Sequence, residues 1–393
     1  MRNSPAEIKH SANRPLPVRG GVIAAALCFF LSAAPASAGG PGSAGLQVLK
    51  SDISPRAMGM GGAFSAIADD LYSMNYNPAG LGQLYMPEAS ALYLSGFEDA
   101  RLSNLAFAMP LPVKGFAGIA KPGMGMSLMM SDAGSFRSRL INPNGTISER
   151  SYDAQKDMVL TVGYGEKVYS EDVKFEGYGF KLDQYVGVNM KYLDSTLLED
   201  YAASAFAVDM GWLAMDPKLG LAVAASFSNF GTGLKYDKEL TKLPSILRLG
   251  VSYQRPTVMD QSLLLAAEGD FYTAESPQKS IRVGLEYHFE KIFNLRVGYK
   301  SEQDNPGLTM GLGLRYEDLS LDFATGAGSE VYNTSQISLS YKFSGIIIKE
   351  RPKKAFKDPT PQKKEQLNPA PAPQKKTGSP RDKKKESDFI WLY

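Results

Sequence analysis

Between about residues 89 and 343 one pattern recurs: runs of roughly ten residues in which apolar side chains alternate with small or charged ones. Ile337, Leu339, Tyr341 and Phe343 interleave with Ser338, Ser340 and Lys342. Ile281, Val283, Leu285, Tyr287 and Phe289 interleave with Arg282, Gly284, Glu286, His288 and Glu290, and Leu295, Val297 and Tyr299 with Arg296, Gly298 and Lys300. A period of two sends successive side chains to opposite faces of a strand, and helical periodicity is hard to find. Fourteen strands are expected, near 89–95, 102–110, 123–136, 147–168, 181–198, 202–215, 219–229, 245–255, 262–273, 280–290, 293–302, 307–317, 319–328 and 335–343.

An all-β chain of this kind has two ways to satisfy its apolar faces. In a soluble sandwich they pack against each other; in an antiparallel transmembrane barrel they meet lipid while the polar faces line a lumen. Strands about ten residues long suit a tilted span. Tyr253, Tyr287, Tyr299, Tyr316 and Tyr341 stand near strand ends, as an interfacial girdle requires. Glycines on the polar face suit a crowded interior. The expectation is a fourteen-stranded barrel, with a soluble periplasmic β protein as the competing fold. Lys121-Pro122-Gly123, at the start of the third strand, reads as a turn, or else as a kink opening the wall.

The rest of the chain divides around this repeat. Residues 1–38 read as a cleaved export signal: Arg14 and Arg19, an apolar run from Val22 to Leu31, then Ala36-Ser37-Ala38. The single cysteine, Cys28, falls within it, so disulfides and thiolate chemistry are excluded from the remainder. Residues 39–86 form an N-terminal segment and 87–345 the barrel. Over 39–345 there are 26 Lys and Arg against 34 Asp and Glu; over 346–393 there are 13 against 6. That basic, Pro-rich stretch is expected to be a disordered periplasmic tail. It ends in an apolar hexamer whose Phe389, Trp391 and Tyr393 suggest a docking peptide for envelope proteins.

The N-terminal segment carries the densest motif, PRAMGMGGAFSAIADDLYSMNYNPAGLG at 55–82. Gly59, Gly61 and Gly62 permit close backbone approach and positive φ. Asp69 and Asp70 are placed to cap a short helix. Asn75 precedes Asn77-Pro78-Ala79-Gly80, which reads as a turn with Gly80 at positive φ. GMGGAFSAIADD followed by NYNPAG resembles the N-terminal signature of FadL-type outer-membrane barrels, above all the PorV/PorQ branch, and the resemblance extends to about Phe343. It implies a lumenal hatch and an outer-membrane location. It further implies either passage of small hydrophobic molecules or, as for PorV-type proteins, service to a type IX-like secretion system. The short connections expected here depart from the long surface loops of FadL itself; the one longer insertion is expected near Gly165–Gly179.

Candidate chemistry is sparse. His288 is the only histidine after the signal, and no serine is marked as its partner, so an enzyme is not expected. One histidine with scattered carboxylates does not make a metal site, and no cofactor is expected. Arg248, Glu268, Asp270, Arg282, Glu286, His288, Arg296, Lys300, Arg315 and Asp322, together with Lys342, should face the lumen. Mixed signs suit a filled interior better than an ion-selective ring. The lysines of the tail lack interleaved aromatics, so nucleic acid is not an expected partner; lipid, a hydrophobic small molecule and envelope or secretion proteins are.

Overall fold

The computed structural model describes residues 44–345, apart from 97–98, 176–177, 257–260, 274–278, 291, 303–306 and 328–332. The expected signal, the tail and its Phe389, Trp391 and Tyr393 lie outside the described residues.

Eighteen strands follow in chain order: β1 (Glu88–Ser95), β2 (Arg101–Pro110), β3 (Gly123–Asp132), β4 (Ser135–Ile141), β5 (Ile147–Asp153), β6 (Gln155–Phe175), β7 (Tyr178–Leu197), β8 (Tyr201–Asp216), β9 (Leu221–Gly231), β10 (Leu234–Tyr236), β11 (Glu239–Thr241), β12 (Ile246–Pro256), β13 (Ser262–Tyr272), β14 (Lys279–Phe289), β15 (Phe293–Glu302), β16 (Gly307–Tyr316), β17 (Leu319–Ala327) and β18 (Asn333–Lys342). Fourteen of them close an antiparallel ring in the order β1-β18-β17-β16-β15-β14-β13-β12-β9-β8-β7-β6-β3-β2. The closing seam pairs Glu88 with Lys342 and Ser95 with Ser335. Full closure leaves no open sheet edge around the wall. The sheet folds onto itself, not onto a second sheet, so the sandwich is set aside.

The alternation in the sequence becomes an outside and an inside. Leu339 is 49% exposed, whereas Ser338 beside it is 2% exposed. Leu105, Phe107, Val251, Val283, Leu295, Val297, Met310, Phe323 and Ile337 likewise point outward. A closed wall clad in aliphatic and aromatic side chains is stable only in an apolar surrounding.

Two β hairpins stand outside the ring. The expected strands 123–136 and 147–168 each divide, because the chain bends at Gly134 (φ 85°) and leaves the wall as the pair β4–β5. Ala133 N–H to Gln155 and Ala154 N–H to Gly134 fix that bend. The expected insertion at 165–179 is no loop: β6 and β7 run on through it, paired from Gly165–Gly187 out to Phe175–Tyr178, with β8 beside β7 as far as Asp183 and a two-stranded ribbon beyond. β3 stops at Gly123 opposite Gly165, so the ribbon overhangs the rim at which β1 begins and β18 ends. The short pair β10–β11, read from sequence only as a connection, lies at the far rim. Lys121-Pro122-Gly123 is neither turn nor kink but extended chain leading into β3: Pro122 O accepts a bond from Leu111 N–H, and β3 pairs with β2 and β6 in unbroken register.

Candidate functional site: the filled lumen

The N-terminal segment threads the ring from one rim to the other. Gly45 N–H bonds Lys242 O in the far-rim connection, and Pro87 leads into β1 at the near rim. A short helix at Pro55–Gly59 is capped by Ser54, whose Oγ accepts from Ala57 N–H, with Pro55 supplying a preset φ at its first position. A second helical turn spans Ser73–Tyr76, and a 3₁₀ turn spans Pro78–Gln83. Phe64, Met60, Leu71, Met74 and Leu81 are fully buried.

Two rows of strand glycines receive this segment. Gly284 and Gly298 are paired neighbours on β14 and β15, with Gly311 beyond them on β16. A Cβ on Gly298 would lie 2.8 Å from Gly61 Cα, one on Gly284 2.8 Å from Met60 Cα, and one on Gly311 3.2 Å from Gly59 Cα. Gly123, Gly165, Gly187 and Gly211 are successive partners across β3, β6, β7 and β8. A Cβ on Gly165 would lie 2.6 Å from Pro78 O, and one on Gly211 2.9 Å from Pro78 Cδ. Three ring strands separate the two rows on one side and four on the other, so they face each other across the lumen. The GMGG stretch seats on one row and the NPAG stretch on the other.

Within the segment, Gly61 (φ 69°) and Gly62 (φ 83°) adopt the left-handed conformation expected of them. Gly80 does not have positive φ; it is glycine because a Cβ there would overlap the backbone of Ala68. Asn77 is the N-cap of the 3₁₀ turn, accepting from Ala79 N–H at 3.1 Å. Its amide also donates to Ser65 O at 3.0 Å and Trp212 O at 3.1 Å. Asp69 and Asp70 do not occupy the expected N-cap position, which Tyr72 holds. Asp70 Oδ1 accepts from Tyr72 N–H at 2.9 Å, and Asp69 pairs with Arg56 at 2.5 Å. Asn75 lines a small internal cavity.

The charged residues singled out from the sequence gather on β12–β17. Arg56, from the segment, reaches Asp69, Asp70 (3.3 Å) and Glu286 (3.0 Å). Glu286 also holds Arg296 at 2.9 Å, and Arg296 holds Asp322 at 2.6 Å. Arg282, 1% exposed, bridges Asp52 of the segment (2.8 Å) to Asp270 (3.0 Å). Glu268 accepts the backbone N–H groups of Phe64 and Ser65, and Arg248 lies 3.8 Å from it and 3.6 Å from Asp270. Lys300 is 3.8 Å from Asp52. His288 Nδ1 shares a 2.5 Å hydrogen bond with Asn294 Oδ1. Arg315 Nε donates to Ser320 Oγ at 3.4 Å. Lys342 pairs with Glu88 at 2.9 Å, while the other Glu88 oxygen accepts from Leu71 N–H. Opposite charges thus join the segment to one wall. Burial raises the Asp70 carboxyl to about 7; Arg56 opposes the shift, and Asp69 and Glu88 add to it. Among the described residues no group of three His, Cys, Asp or Glu side chains is placed to hold a metal.

The other half of the wall is different in kind, and alternation alone did not disclose it. Leu92, Leu102, Ala106, Ala108, Met129, Val159, Leu193, Ala203, Ala205 and Ala207 are buried inside the ring and form a core cluster with Leu46, Ile53, Leu71, Met74 and Leu81 of the segment. Leu234 and Leu243, at the far rim, complete it. The signal for this lay in β8, where AASAFAV is small or apolar on both faces. This side of the lumen is therefore richer in apolar side chains than the β12–β17 side, with Asn104, Ser127, Asp157, Asn189, Lys191 and Asp209 set among them.

No family model and no curated protein matches this chain. Among solved structures it is similar to the Ralstonia pickettii toluene transporter TbuX, at 14% identity and a TM-score of 0.49 over 74% of this chain and 98% of that one. It is similar to the Pseudomonas putida toluene transporter TodX at 13% identity and 0.46, over 77% and 98%. It is also similar to a Pseudomonas aeruginosa FadL homologue at 11% and 0.44, over 73% and 97%. The fold rests on the closed ladder of strands, not on these likenesses.

Proposed function

We propose that the chain is a non-enzymatic outer-membrane barrel of FadL-like, PorV/PorQ-like character that passes small hydrophobic molecules, its N-terminal segment acting as a hatch. One observation carries the reading: an apolar cluster inside the ring is stoppered by a segment seated through close glycine contacts and side-chain ion pairs, not by strand pairing. Such contacts can be released without unzipping the wall, and release bares an apolar track from Leu234 and Leu243 inward. The outer cladding supports the membrane location. The test is accumulation of N-phenyl-1-naphthylamine by cells carrying the full chain in the outer membrane. Uptake at least threefold above cells lacking the protein is expected, and Asn77→Ala, which removes both amide bonds to Ser65 and Trp212, should change it. Equal uptake with and without the protein overturns the reading.

A second reading, docking to envelope or secretion proteins, is favoured by one feature. Leu140, Ile141 and Ile147 stand exposed at the tip of the β4–β5 hairpin. It expects co-purifying envelope proteins that are lost when 135–153 or 346–393 is deleted, with uptake unaffected.

A further inference from the structure

One connection at the near rim differs in kind from its neighbours. Between β2 and β3 residues 111–122 read LPVKGFAGIAKP, with two lysines and no carboxylate. At the same rim β16 and β17 are joined by Glu317-Asp318 alone, and β8 and β9 by Pro217-Lys218-Leu219-Gly220. The longer connection is closed by its own backbone. Leu111 N–H bonds Pro122 O, Gly115 N–H bonds Ala120 O and Gly118 N–H bonds Gly115 O, and Gly118 turns the chain at φ 70°. It is an ordered finger.

The finger lies on the outside of the wall. Phe116 meets Tyr164 edge to face, ring centres 5.8 Å apart. Tyr164 pairs with Met124 and shares the outward side of β6 with Met158 and Val162, all three of them exposed cladding. Glu166 is the next residue on that side, one beyond the Gly123–Gly165 pair at which β3 stops. The finger covers it: Glu166 is 6% exposed, its Oε2 accepts from Ala117 N–H at 3.4 Å, and a Cβ on Gly115 would overlap that oxygen. What the finger itself presents is Phe116, 94% exposed, with Val113 at 56% and Ile119 at 36%, and Lys114 exposed among them. A phenyl ring so bare is ill suited to water. At a membrane boundary the same group is well placed, with aromatic and aliphatic side chains toward the acyl layer and a lysine reaching back to phosphate. Two observations name the occupant: the patch continues the lipid-facing cladding through Tyr164, and its only charges are positive.

We infer that residues 111–122 form a membrane-inserted finger that binds anionic phospholipid at the near rim, with Phe116, Val113 and Ile119 entering the acyl layer and Lys114 meeting a headgroup phosphate. The inference rests on the membrane location of the barrel and is independent of transport. The finger occupies the step at which β3 ends and β6 runs on, so it fixes the depth at which the overhanging strands leave the lipid.

The test measures depth. Val113→Cys, in a chain with no cysteine after Cys28, carries a fluorophore and leaves Phe116 in place. Val297→Cys on the outward wall and Lys218→Cys, 63% exposed in the β8–β9 turn, are the lipid and water references. Each is folded into phosphatidylcholine–phosphatidylglycerol vesicles, with heat-dependent gel mobility confirming the barrel. Nitroxides on the acyl chains should quench the Val113→Cys label at least threefold more than the Lys218→Cys label, and adding Phe116→Ser should remove most of that difference. Nitroxides on phosphatidylglycerol headgroups should quench it about twice as strongly as those on phosphatidylcholine headgroups, and Lys114→Gln should abolish the preference. Acyl quenching at Val113→Cys no greater than at Lys218→Cys overturns the finger and leaves the membrane location standing. Equal quenching from the two headgroups overturns the phosphate contact. A Val297→Cys label that escapes acyl quenching overturns the location and the finger together.

Discussion

Gly298→Ala adds one methyl group where strand backbone and segment backbone meet. The new Cβ would lie 2.8 Å from Gly61 Cα, roughly 1 Å inside ordinary carbon–carbon contact. Neither side can rotate away, because both are main chain. The segment cannot retreat toward the opposite wall either, since the Gly165 position already brings Pro78 O and Gly82 N to within 2.6 and 2.9 Å of a Cβ. Overpacking of this kind costs about 1–3 kcal/mol, and a site pinned from both sides belongs at the upper end. About 3 kcal/mol raises the unseated population roughly a hundredfold, at about 1.4 kcal/mol per factor of ten. The assay is limited trypsin digestion of the folded barrel in detergent, following cleavage at Lys50 and Arg56, with heat-dependent gel mobility reporting the barrel. Cleavage should accelerate by one to two orders of magnitude while mobility stays unchanged, and Gly165→Ala should do the same from the other wall. Gly269→Ala, whose Cβ would meet only the Phe271 ring at 3.4 Å, should behave as the unmodified chain. Digestion of Gly298→Ala and Gly165→Ala at the unmodified rate would refute the seating of the segment on glycine rows.

Three other outcomes are expected. Arg56→Met leaves Asp69 and Glu286 without a shared cation and should unseat the segment by about 3–5 kcal/mol. Glu286 keeps Arg296, so the melting temperature of the barrel should move little while tryptic cleavage at Lys50 accelerates. Asp70, raised to about 7, holds its proton in the seated state over a range in which a free carboxyl has lost it. Seating is therefore strongest below about pH 4, weakens as pH rises to about 7 and levels off above. Digestion at Lys50, taken at each pH relative to an unfolded substrate of the same protease, should rise severalfold between pH 5 and 8, and Asp70→Asn should flatten that slope; with Asp70 17% exposed, the slope falls short of the fully buried limit. Val297→Arg puts a charge on the outer cladding and should cost about 2–4 kcal/mol of membrane stability, read by urea titration in lipid vesicles.

The wall was readable in the sequence because it obeys a single rule. Ile337, Leu339 and Tyr341 against Gln336, Ser338 and Ser340 alternate without exception, and all fourteen wall strands fall near their expected places. What escaped were features that depend on partners distant in the chain. Nothing near Gly134 signals that β4 and β5 leave the ring, since both continue the alternation. The charges at 166–176 suggest a loop only until β7 is known to pair with them. In the lumen, the glycines of 55–82 stood out, but not the strand glycines that receive them, because Gly298 and Gly187 become meaningful only when Gly61 and Pro78 lie against them. Gly80 looks in sequence like a positive-φ turn glycine, whereas what excludes a side chain there is Ala68, twelve residues earlier. Asp209 and Asn229, twenty residues apart, gave no local sign that they interrupt the β8–β9 seam.

The thread from Gly45 at one mouth to Pro87 at the other bears on how the molecule is made. A hoop that shuts by joining its first strand to its last must either shut around the leader already lying inside or admit it afterwards through an opening lined with salt bridges. The leader emerges first and the final strand last, so its buried side chains await their partners until the hoop is nearly complete. Seating of the leader is thus among the last steps of assembly, and the wall, closed by its own first and last strands, does not depend on it to stay shut.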